Sequence, residues 1–173
     1  VELGYSRRRK SKKDALFETE SHDVPKIEDM MRNTEYYRKQ KGKSWVMVEM
    51  TPEEYEQAIR RGFMVSQGSE NVPSDIRERI HEEHLQKIIG IMEHETVPMP
   101  YLDYDYWYDG FRESFRTGFA QEGHHRVEAA RRLGAKKVPV FVIYPVKEGE
   151  REKVRGMMTK RVREMIGEPE YYE

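Results

Sequence analysis

The run from Phe119 to Tyr144 limits the possible folds more than any other part of this chain. Phe119-Ala120-Gln121 reads as the end of a short strand beginning near Thr117. Gly123 turns the chain out of it. His125 to Leu133 then has helical spacing, with Val127, Ala130 and Leu133 on the inner face and Gly134 as the stop. Val138-Pro139-Val140-Phe141-Val142-Ile143-Tyr144 is an unbroken apolar run, the signature of a strand covered on both faces. A strand, a single-glycine turn, a helix and a buried strand in such short succession call for a layered α/β unit.

The rest of the chain extends this reading. Pro25 to about Gln40 predicts a peripheral helix carrying Ile27, Met30, Met31, Tyr36 and Tyr37. Ser44 to Met50 reads as a strand. Thr51-Pro52-Glu53-Glu54 starts a helix, with Thr51 as N-cap, Pro52 in the first turn and Glu54 closing a capping box. Tyr55, Ala58 and Ile59 form its apolar face, and Gly62 is expected to end it. After a polar loop from Ser66 to Pro73, Ser74 or Asp75 should cap a helix reaching about Met92 through Ile76, Ile80, Leu85, Ile88 and Ile89. Val97 to Tyr108 is more extended, and Pro98 and Pro100 argue against a central strand at its start. Asp109-Gly110 marks a turn. Glu150 to Ile166 predicts one amphipathic helix. The expected organisation is a basic arm and peripheral helix over 1–43, a compact domain over 44–146 with an insertion at about 99–116, and a C-terminal helix and tail over 147–173. The fold class is mixed α/β (α+β), a small mixed sheet with flanking helices.

Hydrophobic and charged residues each make up 36% of the 173 residues, so the core must be modest. No cysteine is present, which removes disulfides, thiolate metal sites and cysteine nucleophiles. It also leans the expectation towards a cytoplasmic protein. No apolar stretch approaches the ~20 residues of a membrane span. The first residues lack the apolar core of a signal peptide. With a net charge of −1, only a local patch could attract a polyanion. Arg7 to Lys13 supplies one, with Arg7, Arg8, Arg9, Lys10, Lys12 and Lys13. It reads as a solvated tail or as an arm for DNA.

The turn at Glu122-Gly123-His124-His125-Arg126 carries the chemistry. The first N–H groups of a helix have no partner inside it, and the helix dipole adds about half a positive charge there. Together they make an anion site. Gly123 allows close approach, Arg126 can grip phosphate oxygens, and His124 and His125 can donate hydrogen bonds or move protons. Glu122 could serve as a base or hold a metal ion bridging phosphates.

This turn, followed by Ala129-Ala130, Leu133-Gly134 and Val138-Pro139-Val140, resembles the ParB/sulfiredoxin superfamily. Sulfiredoxin places a cysteine where His124 stands, so the resemblance excludes sulfinic acid reduction. His125 and Arg126 match that family's phosphate-contacting pair. Partition ParB proteins hold CTP on a similar turn, but no helix-turn-helix follows here. Glu122-Gly123-His124-His125-Arg126 is most similar to the free serine kinases of this fold. Met50-Thr51-Pro52-Glu53-Glu54-Tyr55 resembles a helix start of uncharacterised phage proteins. The resemblance implies a nucleotide ligand (ATP, ADP or CTP) with Mg2+, phosphates on Gly123, His124, His125 and Arg126, and Glu122 and His124 as catalytic groups. The activity implied is a nucleotide-dependent phosphotransferase or phosphohydrolase. The alternatives are a non-enzymatic DNA-associated or phage accessory protein, or a ParB-like nuclease.

Two other constellations stand out in the sequence. Tyr101 to Phe115 is rich in aromatics and acids. As a strand it would set Asp103, Asp105 and Asp109 on one face and the tyrosines on the other. Asp103 and Asp105 are candidate magnesium ligands facing the turn, or part of an insertion that packs on the core or a partner. His81-Glu82-Glu83-His84 has its histidines three apart rather than the four of a metalloprotease helix and reads as a solvated helix face. His94 reads as loop surface.

Overall fold

The computed structural model describes residues 15–67, 81–106 and 118–167. The basic arm Arg7–Lys13, the Ser74/Asp75 cap with Ile76 and Ile80, and Trp107 to Phe115, including the Asp109-Gly110 turn, lie outside them. Among the described residues the elements follow in the order β1 (Phe17–Glu18), α1 (Pro25–Arg32), α2 (Thr34–Gln40), β2 (Lys43–Met50), α3 (Pro52–Gln67), α4 (Glu82–Met92), β3 (Val97–Pro98), β4 (Tyr101–Tyr106), β5 (Gly118–Glu122), α5 (His124–Arg132), β6 (Val138–Pro145), α6 (Glu148–Arg155) and α7 (Lys160–Met165). The fold is mixed α/β, as the residue pattern predicts.

The main sheet has four strands in the order β2-β6-β4-β5. β6 is antiparallel to β2 and parallel to β4, and β4 is antiparallel to β5. β1 and β3 form a separate parallel pair. Strand β6 is interior, and Val138, Val140, Phe141, Val142 and Ile143 are all wholly buried. Its unbroken apolar run is the direct consequence of having both faces covered. On one face Trp45 stacks on Phe141 with ring centroids 4.6 Å apart and reaches helix α2 through its indole N–H to Thr34 Oγ1 at 3.3 Å. On the other, Phe119 packs edge-on against Phe63 of α3 at 5.2 Å.

The capping box at the start of α3 forms as expected. Thr51 N–H donates to Glu54 Oε1 at 2.8 Å, and Glu54 N–H donates to Thr51 Oγ1 at 3.0 Å. Gly62, however, does not end α3, which runs on to Gln67. A Cβ on Gly62 would sit 2.6 Å from the Phe119 ring, so this glycine answers to helix-on-sheet packing, not to a stop. The predicted helix over Pro25–Gln40 is two helices broken at Asn33, whose side chain turns back to Asp29. Ile27 and Met30 of α1 are wholly buried in the common core. The predicted C-terminal helix is also two, α6 and α7. Gly156 follows the first, and Thr159 caps the second by accepting from Val162 N–H at 3.1 Å.

In strand β4 the acids and the tyrosine at alternate positions are buried alike. Leu102, Asp103, Tyr104 and Asp105 are all buried. The strand lies between β6 and β5, so both of its edges are paired, and the pairing with β5 shifts register between Asp103 and Tyr106. No helix among the described residues is long and apolar enough to cross a membrane.

Candidate functional site

The turn forms where the sequence places it. β5 ends at Glu122, Gly123 takes φ 110° and ψ 14°, and α5 begins at His124. That left-handed conformation strains any residue with a Cβ. Space adds a second demand. A Cβ on Gly123 would meet Pro100 Cβ at 2.7 Å and Pro100 Cα at 2.9 Å. The first intrahelical bond runs from Val127 N–H to Gly123 O at 3.0 Å. The amides of His124, His125 and Arg126 thus belong to the open end of the helix, and glycine offers no side chain to cap them.

Arg126 is turned inward. Its Nε donates to Pro98 O at 2.7 Å and its Nη2 to Met99 O at 3.4 Å. Nη1 and Nη2 also grip the Glu122 carboxylate at 2.9 and 2.6 Å. The arginine side chain is 16% exposed and the glutamate 39%. Arg126 therefore acts as a clamp that ties the end of β5 and the start of α5 to the Pro98–Pro100 segment. In the free protein its guanidinium is committed to that task rather than standing open to an anion. His22 reinforces the same segment. Its Nε2 lies 2.9 Å from Met99 O, and its Nδ1 accepts from Val24 N–H at 3.2 Å. Burial pushes His22 below the usual histidine range, although the Met99 hydrogen bond works against that.

His124 and His125 face different partners. Tyr55 hydroxyl donates to Gln121 Oε1 at 3.2 Å and to Glu122 O at 3.3 Å. Burial pushes Tyr55 far up, so it keeps its proton and acts as a donor. Gln121 Nε2 lies 3.3 Å from His124 Nδ1. With Gln121 oriented by Tyr55, its amide donates to Nδ1, and the imidazole proton sits on Nε2. His124 also lines a cavity of about 20 Å3 between α3 and α5, with Tyr55, Glu56, Ile59 and Glu128 among its walls. That space suits a water-sized guest at ~10–15 Å3 per water, not a nucleotide base.

His125 lies against α4. Its Nε2 accepts from His81 N–H at 3.3 Å. Its ring centroid is 4.9 Å from that of His84, 6.1 Å from His81 and 4.3 Å from His124. Burial first, then the neighbouring His84 and His81, hold His125 below the usual histidine range. His81 and His84 are exposed, as expected of a solvated helix face. Their rings nevertheless gather on His125, which the local charge pattern did not reveal.

Asp103 and Asp105 do not make the expected magnesium site. Asp103 is wholly buried, is ion-paired with Lys26, and accepts from Asp105 N–H at 2.9 Å. The lysine ammonium already supplies the positive charge a cation would bring. Among the described residues no three imidazole or carboxylate groups converge as a metal site.

Glu122, Gly123, His124, His125 and Arg126 thus meet at one junction, while Asp103 is engaged with α1. Sequence reasoning missed Tyr55, Gln121, His22, His81, His84 and the Pro98–Pro100 carbonyls. Tyr55 belongs to the capped start of α3 and Gln121 to β5, and no local pattern marks either as a neighbour of His124. No protein-family model matches the chain, and no curated protein or solved structure is significantly similar to it.

Proposed function

We propose that the chain is a nucleotide-binding protein of the ParB/sulfiredoxin type that seats nucleotide phosphates on the first turn of α5, as a phosphotransferase or phosphohydrolase. The observation that carries this reading is the left-handed Gly123 at the strand–helix junction, an N-cap position with no side chain to occupy the helix start. A helix start of this kind favours anions through both its N–H groups and its dipole. Phosphoryl transfer asks mainly for positioning and neutralisation of charge. His124 is oriented through Gln121 by Tyr55, and with its Nε2 buried it contributes its first-turn backbone amide to the phosphate seat. His125 is the second imidazole at the helix start. Arg126 keeps the turn in shape through Glu122 and Pro98, and the Glu122 carboxylate retains an exposed edge from which to accept a proton. The sheet and its helices hold these groups on rigid elements.

The cavity beside His124 is too small for a base, so the nucleoside moiety would lie over the surface near the turn. A thermal-shift panel of ATP, ADP, CTP and GTP, with and without magnesium, tests the reading. A ligand bound only by the folded state raises the melting temperature by mass action. A concentration-dependent rise with at least one nucleotide is expected. No rise with any of the four at millimolar concentration removes the proposal.

A further inference from the structure

Four of the chain's six histidines, His81, His84, His124 and His125, gather at the start of α5. We propose that this cluster makes occupancy of the turn proton-dependent: His125 is neutral and bonded to α4 in the free protein, and takes up a proton when an anion binds. The inference rests on the phosphate-turn reading and adds its regulation.

The geometry opposes a charged His125 in the free protein in three ways. Its Nε2 is an acceptor for His81 N–H, so a proton there would set two donors against each other. The neighbouring His84 and His81 rings disfavour a charge on it. The positive end of the α5 dipole lies at the same place. Of the carboxylates on the surrounding elements, Glu83 of α4 is exposed beside His84, and others are already paired. On α4, Glu82 is paired with Arg132, and on α5, Glu128 is held by Arg131 and Arg132. On β5, Glu122 is held by Arg126. On α3, Glu56 lies across the small cavity lined by His124.

An anion on the first turn reverses this balance, because it gives the imidazolium a counter-charge. Binding then draws in a proton, and by linkage lower pH strengthens binding. Proton uptake also ends the bond to His81 N–H and loosens the start of α4, while the Arg132–Glu82 pair keeps that helix tethered. The sign for stability follows. A histidine held below its unfolded value contributes stability that is complete above about pH 6.5 and is lost as pH falls through the lowered folded value. An anion should restore that loss.

Sulfate is the suitable probe, since it does not titrate between about pH 5 and 8. Its affinity is measured by calorimetry at about pH 5.5 and 7.5, on the whole chain and on His125→Gln, with the His125 ring followed by nitrogen-15 NMR. The expected result is affinity about tenfold higher at the lower pH, one pKa unit of linkage. His125 should be neutral at pH 7.5 and its titration midpoint should rise on adding sulfate, while the variant loses the pH dependence. Sulfate or ATP binding that is equal at both pH values, with an unmoved His125 midpoint, overturns the proton gate alone. Absence of both sulfate and ATP binding at either pH removes the phosphate turn itself, and the gate with it.

Discussion

Gly123 meets two separate demands. Its φ of 110° suits glycine alone, and Pro100 leaves no room for a Cβ. Gly123→Ala should therefore cost about 2–4 kcal/mol, combining about 1–3 kcal/mol of backbone strain with displacement of a proline backbone. Urea denaturation measures it, and a loss under 1 kcal/mol would show that the turn is not constrained in this way. Arg126 is the second organising residue. Arg126→Ala leaves Pro98 O and Glu122 without their partner and should cost about 2 kcal/mol. Glu122→Gln should cost less, about 1 kcal/mol or under, because the carboxylate is 39% exposed and water screens the pair. A larger loss for Glu122→Gln than for Arg126→Ala would contradict the clamp. The residue types at the turn were legible in the sequence. The inward direction of Arg126 was not, because it depends on carbonyls of Pro98 and Met99 more than twenty positions away.

At the scale of elements, local chemistry decided where structure starts more often than where it stops. The Thr51–Glu54 capping box, the Gly123 turn and the apolar run of β6 all follow from neighbouring residues alone. Gly62 does not stop α3, because the Phe119 ring requires a glycine there within a continuing helix. Asp103 of β4 is wholly buried beside Lys26 of α1, which neutralises it. Alternation along one strand cannot report a partner supplied by a distant helix. The cap itself is testable. Thr51→Ala should cost about 1 kcal/mol, and amide exchange in the first turn of α3 should quicken before that of β6. Unchanged exchange in that turn would mean that packing, with Tyr55 and Ile59 wholly in the core, holds the helix start without the cap.

On the scale of the whole molecule, the sheet places the β5–α5 junction against three other parts of the fold. Tyr55 of α3 orients His124 through Gln121, α4 rests on His125, and the Pro98–Pro100 segment is tied to Arg126 and His22. The functional claim is that this junction receives phosphate groups. The most direct measurement is a titration of the nitrogen-15-labelled chain with ATP and magnesium, followed amide by amide. The account predicts that the amides of Gly123, His124, His125 and Arg126 shift first and saturate together, with those of His81 and His84 following as α4 responds. Shifts that leave residues 122–126 unmoved, whether they fall elsewhere in the chain or do not occur, would contradict it.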